Sequence, residues 1–509
     1  MKSTIEEAVG QLIIGKVPGT ELDAETKHCL KSGTISGITV FKENVVSQEQ
    51  LMDLCDAVRK LSWHPALIAV DQEGGAVQRL DEIVSPLPSM MALGNLDDVE
   101  RLKLVITIAG KQMRLLGFNC VFAPVLDCNT NPANPIIGTR AFGADPDKVA
   151  RLSAAVMRTY LDAGVLPVAK HFPGHGDTAC DSHLELPRLS HSLERLEEIE
   201  LRPFCENLLT TPAILVAHLW VECFDKDELP ATLSHKICSE LLKDKLGYQN
   251  LVVSDDMLMK AITNKWGLAE ASVRALAAGI DLLLICSGPD DARAVHQAVC
   301  EAIKSGRISE ERILAACRAK KAALNKLAPF AETERSRRLA LLKKSVAASE
   351  PLLLETSSAA IDLSRGIPRE VFAGTAEISI FVPQSPRYKF NFVEALLAEM
   401  PDLKGRLLEQ RYSLSPDADE IKTLADKCKE RCVLVTFRST VNKGQLDLAA
   451  SLYARSKERL LVASDIPYDL DLITDWDNAV SLFDPSDLAV RAFAKQMAKR
   501  HISCQHCGH

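Results

Sequence analysis

Through residue 330 the chain repeats one unit: a short apolar run, a turn-rich or polar stretch, then in most cases an amphipathic helical pattern. The apolar runs fall at 12–17, 37–41, 66–70, 119–124, 166–169, 213–217, 251–254 and 280–285. Runs this short and continuous, separated by helical patterns, are what parallel strands covered by helices look like in sequence. Eight of them in one domain predict a (β/α)8 barrel over 1–330. In such a barrel chemistry gathers at the C-terminal strand ends, and the runs end in polar residues there: Asp71, Asp127, Lys170 with His171, His218 and Asp255.

Beyond the barrel, 331–350 is rich in charge and helical in pattern, which predicts a linker helix. Apolar runs at 378–382, 432–437, 460–463 and 479–483 then alternate with helical segments, predicting a smaller α/β sandwich domain over 351–500. The last nine residues, 501–509, hold Cys504, Cys507 and three histidines. That set could furnish four zinc ligands, but no second Cys-x-x-Cys accompanies it, and the expectation is a frayed tail with no metal. A fragment of 1–340 is expected to fold by itself.

Composition narrows the function classes. Of 509 residues, 47% are hydrophobic and 25% charged, so the chain is of ordinary globular make-up. A formal net charge of −8, with no long block of one sign, gives no electrostatic reason for a nucleic-acid or anionic-membrane partner. Glu6 and Glu7 stand where an export signal needs basic and then apolar residues, and no run approaches the ~18 apolar residues of a membrane span. Fifteen cysteines, an odd number scattered along the chain, suit unpaired thiols in a reducing compartment. The expectation is a cytoplasmic protein; its oligomeric state is left open.

The segment 170–183, Lys-His-Phe-Pro-Gly-His-Gly-Asp-Thr-Ala-Cys-Asp-Ser-His, leaves a strand and packs three histidines, two aspartates and a lysine into fourteen residues. A plain polar loop and a metal site are both readings of such a cluster, although the helical His-x-x-x-His spacing of many zinc sites is missing. Asp181 and His183, two apart, can share a hydrogen bond that fixes one imidazole nitrogen and makes the other a general acid/base. Asp255 follows 251–253, Leu-Val-Val, and can serve as a nucleophile from the barrel mouth. Strand alternation points its neighbour Asp256 elsewhere.

These residues carry a resemblance. Gly10-Gln11-Leu12, the stretch 70–79 (Val-Asp-Gln-Glu-Gly-Gly-Ala-Val-Gln-Arg), 137–143 (Ile-Gly-Thr-Arg-Ala-Phe-Gly), the 170–183 segment, 230–234 (Pro-Ala-Thr-Leu-Ser) and 253–257 (Val-Ser-Asp-Asp-Met) occur in the order seen in glycoside hydrolase family 3. The chain resembles its bacterial β-N-acetylglucosaminidase branch, of which the loop ending in Asp181-Ser182-His183 is characteristic. The resemblance implies that Asp255 is the nucleophile, that Asp181 and His183 form the acid/base dyad, and that Asp71, Arg140, Lys170 and His171 hold the sugar hydroxyls. Glu73 and Arg79 are read as structural, Arg79 bracing a neighbouring carboxylate. The implied activity is retaining removal of terminal N-acetylglucosamine from muropeptide-type or related β-linked oligosaccharides, with no cofactor and no metal. A β-glucosidase, a glycosyl phosphorylase and an inactive sugar-binding protein on the same fold are the alternatives.

Overall fold

The computed structural model describes residues 4–178, 186–330, 333–366, 371–385 and 388–506, with side chains as far as 501. Eight parallel strands form the first sheet: β1 (Ile13–Lys16), β2 (Gly37–Val40), β3 (Leu67–Val70), β4 (Cys120–Val121), β5 in two pieces (Leu166–Pro167 and Ala169–Phe172), β6 (Ala213–Val216), β7 (Leu251–Asp256) and β8 (Leu282–Leu284). The first piece of β5 pairs with β4 at Cys120 and Leu166, and the second pairs with β6 at Ala169 and Ile214. With β1 paired to β8 at Ile13 and Leu283, the sheet closes into a barrel.

Period-two alternation fills the barrel. Ile14, Leu67, Ala69, Phe122, Leu215, Val253 and Leu284 form one buried cluster, to which Ala323 of the helix Glu310–Leu324 belongs, while their neighbours Ile13, Ile68 and Val252 pack into the larger cluster shared with the surrounding helices. Every strand therefore buries both faces, which is why the runs lack polar alternation.

A helix, Arg335–Ala360, leads out of the barrel. The second sheet has six strands: β9 (Asp362–Arg365), β10 (Ile378–Gln384), β11 (Leu407–Ser413), β12 (Arg431–Thr436), β13 (Glu458–Ala463) and β14 (Ala479–Ser481), in the order β9-β14-β13-β12-β10-β11. Only β9 pairs antiparallel. On one face Val433, Val435 and Leu460 pack with Phe392 and Phe493; on the other Phe381, Leu434 and Leu461 pack with Leu424, Leu448 and Trp476. This is the α/β sandwich the sequence predicts. The edge strand β11, 407–413 (Leu-Leu-Glu-Gln-Arg-Tyr-Ser), gives no apolar run because most of it is only half-buried.

The two domains share buried contacts. Helix Arg335–Ala360 lies against Val99–Leu116 of the barrel and Asp487–His506 of the sandwich. Ser349 Oγ sits 2.6 Å from Ser85 Oγ, and the Ser89 amide donates to Asp484 Oδ2 at 2.9 Å. Met91, Ala92, Ala360 and Phe483 form a small apolar cluster. No helix among the described residues is long and apolar enough to cross a membrane.

Candidate active site

At the end of β3 the chain turns through a small hairpin, Gln72–Gly74 against Val77–Gln78, which buries Glu73 beneath the barrel mouth. Glu73 accepts two hydrogen bonds from Arg140, from Nε at 2.7 Å and Nη2 at 2.8 Å, and Lys170 Nζ lies 2.6 Å from its Oε1. Lys170 also donates to Asp71 Oδ1 at 2.8 Å, and Arg79 stands 3.8 Å from the other Asp71 oxygen. Burial pushes the Glu73 carboxyl up, but Arg140 and Lys170 outweigh it and hold the group far below the carboxylate range. The two cations, which burial alone would weaken, are held above their ordinary values by Glu73 and Asp71. Each buried charge of the cluster therefore has a partner of opposite sign.

The next strand end adds an imidazole. His171 Nδ1 lies 2.7 Å from Asp127 Oδ2, and Arg140 Nη2 lies 3.3 Å from His171 Nε2. Since a guanidinium only donates, Nε2 accepts and Nδ1 carries the proton towards Asp127. Asp127, with no solvent exposure, also receives the His175 amide at 2.7 Å; burial raises its carboxyl, and His171 and His175 more than reverse that. Asn134 holds the loop beyond by donating to the His175 and Gly176 carbonyls at 2.9 and 3.0 Å. A Cβ on Gly176 would lie 1.8 Å from the Cys128 carbonyl oxygen, so only glycine lets the loop lie this close. The buried His175 imidazole is pushed down to about 4 by burial and then by His171, and is neutral at pH 7.

At the end of β7, Asp255 and Asp256 part company. Asp255 lines the cavity at the barrel mouth, while the Asp256 carboxylate accepts the amides of Leu258 and Cys286 at 3.1 and 3.2 Å and ties the β7 and β8 loops together. Burial pushes Asp255 up, but His218, His171, the Asp256 amide and Lys170 outweigh it and hold it below the usual carboxylate range. Burial pushes the Asp256 carboxyl up from its ordinary value. His218 Nε2 donates to the Asp256 carbonyl oxygen at 2.9 Å, which keeps its ring beside the pair.

These groups face one cavity of about 300 Å3, bounded by Asp71, Glu73, Arg140, Lys170, His171 and Asp255 with apolar walls from Val77, Ile136 and Met259. One wall comes from the second domain. Arg438, in a left-handed conformation (φ 50°) just past β12, donates to the Pro135 carbonyl oxygen at 2.7 Å and pairs with the buried Asp465. Asp465 in turn accepts from Thr139 Oγ1 at 3.1 Å.

Of the residues singled out from sequence, Asp71, Arg140, Lys170, His171 and Asp255 meet at this cavity. Asp181 and His183 lie outside the described residues, as do the side chains of the 502–509 tail. Glu73, read as structural, is the hub on which Arg140 and Lys170 converge, and Arg438 was missed; its only sequence signal is a charged residue just past a parallel strand. Asp177, His191 and Glu200 place ligand-type atoms within 4.8 Å of one another at the base of the loop. Arg195 already stands among them, 3.2 Å from Glu200 and 3.9 Å from Asp177, supplying the positive charge a metal would bring.

The chain is similar to known proteins in sequence and in fold. The model of the glycosyl hydrolase family 3 N-terminal domain matches residues 4–319. A beta-hexosaminidase of Alkalilimnicola ehrlichii is 37% identical over 295 residues, covering 56% of this chain and 83% of that protein. Beta-hexosaminidase A of Pseudoalteromonas piscicida is 34% identical over 288 residues; the match covers 52% of this chain but only 48% of that longer protein. Among solved structures, a glycoside hydrolase family 3 beta-N-acetylglucosaminidase from Paenibacillus sp. str. FPU-7 superposes with a TM-score of 0.87 at 30% identity, covering 98% of this chain and 97% of that one.

Proposed function

Because the chain belongs to glycosyl hydrolase family 3, we propose that it is a retaining exo-β-N-acetylglucosaminidase acting on muropeptide-type or related β-linked oligosaccharides. The observation that carries this reading is the Asp255 carboxylate, ionised at neutral pH and set on the same cavity as the Asp71–Lys170–Glu73–Arg140 network.

A terminal sugar entering the mouth meets acceptors on Asp71 and donors on Lys170 and Arg140, a set that grips several hydroxyls from different sides. Asp255 attacks the anomeric carbon; its C–O bond forms as the glycosidic C–O bond breaks, and His183 gives its proton to the departing oxygen. Asp181 orients the imidazole and stabilises its charged form. In the second step His183 takes a proton from water, whose oxygen displaces Asp255, and the enzyme returns to its starting state with the sugar's configuration retained. Carboxylate and imidazole suffice, so no cofactor enters.

A chromogenic N-acetyl-β-glucosaminide assayed beside the corresponding glucoside tests the reading. Preferred turnover of the glucosaminide, with free N-acetylglucosamine as product in phosphate buffer, is the expected result. Preference for the glucoside, accumulation of the sugar 1-phosphate, or binding without turnover would each overturn it.

A further inference from the structure

At the opposite end of the barrel from Asp255, the entries to β1, β3 and β4 and the helix Glu310–Leu324 enclose a second cavity of about 740 Å3. That is room for an organic metabolite. Its boundary includes Lys320, Arg114 and His64 on one hand and Leu324, Leu327 and Phe330 on the other; among the described residues none that lines it is an aspartate or glutamate.

The cations here differ from those at the catalytic mouth, where every buried charge has a partner. Lys320 is 3% exposed, and its Nζ donates to the Gln11 carbonyl oxygen at 2.8 Å and to Ser36 Oγ, yet it forms no ion pair among the described residues. Burial pulls its ammonium down to about 7. Arg114 stacks on the Phe330 ring at 3.4 Å from the centroid, with Arg59 on the same ring at 3.8 Å, and donates to the Ala328 carbonyl oxygen at 2.5 Å; it too pairs with no carboxylate among the described residues. Burial and the neighbouring Arg59 lower its basicity. His64 Nε2 is buried with no hydrogen-bond partner among the described residues. A buried ammonium with no counter-charge is unfavourable, and an arriving anion would relieve it.

We propose that this basal cavity binds a small organic anion, whose phosphate or carboxylate head pairs with Lys320 and whose apolar portion lies along Leu324, Leu327 and Phe330. The proposal is independent of the reaction assigned to the other end of the barrel.

The test follows Lys320 in the full-length protein. An amine-directed acylating reagent, with the peptide read by mass spectrometry, is applied in chloride, inorganic phosphate or hexanoate at equal ionic strength, and melting temperatures are measured under the same conditions. Phosphate or hexanoate at ten times its dissociation constant is expected to slow Lys320 labelling about tenfold and to raise the melting temperature of the wild type but not of Lys320→Met. Protection by phosphate alone assigns a phosphorylated ligand; protection by hexanoate alone assigns a carboxylate with an apolar tail. Leu324→Trp, which fills the apolar side and leaves the amine intact, is expected to weaken hexanoate protection. If neither anion exceeds chloride in labelling or in melting, the proposal fails and Lys320 is a structural cation held by Gln11 and Ser36.

Discussion

The Arg438 guanidinium reaches across 303 positions of sequence to donate to the Pro135 carbonyl oxygen at 2.7 Å, and so places a side chain of the second domain in the wall of the cavity that Asp255 lines. Arg438→Ala is expected to raise KM about tenfold, equivalent to ~1.4 kcal/mol, with a smaller effect on kcat, because the residue borders the cavity without touching Asp255. Steady-state kinetics separate the two. A fragment ending at 360 loses the same wall and uncovers Met91 and Ala92, and should be less active and less soluble than the full chain. Full activity in the fragment would show that the second domain is dispensable to the site.

Asp255→Asn should lower kcat by about a thousandfold or more while leaving the melting temperature nearly unchanged, since an amide cannot displace the leaving group. Asp256→Asn should show the opposite pattern. Its carboxylate accepts the Leu258 and Cys286 amides, and weakening those bonds costs about 1 kcal/mol with a modest loss of turnover. The reverse order of effects would exchange the roles of the two residues.

Asp484 gives a pH dependence with a definite sign. Burial holds its carboxyl up at about 6, against an unfolded value of 3.8, so the native state binds the proton more tightly. Stability from this group is present at low pH and is lost as pH rises through about 6. The gap corresponds to about 3 kcal/mol at full ionisation. Asp484→Asn keeps an acceptor for the Ser89 amide, and is expected to raise the melting temperature at pH 8 by more than at pH 5. Equal shifts at both pH values would remove Asp484 from the pH response.

Prolonged treatment with EDTA is expected to leave activity unchanged. The Asp177–His191–Glu200 group is the arrangement among the described residues suited to a metal, and Arg195 already neutralises it. Activity lost to the chelator and restored by zinc, in the full chain and after deletion of 504–509 alike, would assign those three residues as ligands and displace Arg195.

Much of the barrel was legible because its strands bury both faces, and the parallel sheet turns that burial into short continuous apolar runs. The polar residues closing those runs were legible as site candidates for the same reason. β5 shows where this reasoning stops. The expected strand ended at Ala169, whereas the structure carries it on through Lys170 and His171 to Phe172, because Asp71, Glu73 and Asp127 satisfy charges that would otherwise end a buried strand. Glu73 illustrates a second limit. Nothing near it in sequence indicates that Arg140 and Lys170, 67 and 97 positions away, converge on its carboxylate. Arg438 is harder still, since its place in the site depends on how two separately folded sheets meet.

The strand that completes the barrel is also the strand that carries Lys170 and His171. The staves of the barrel and the proposed grip on the sugar are therefore one piece of chain, and substitutions in 169–172 should change stability and substrate contact together. Adaptation to a different sugar partner has more freedom at the rim, where Arg438 and its surrounding loops can vary without loosening the closure that keeps the other seven strands in place.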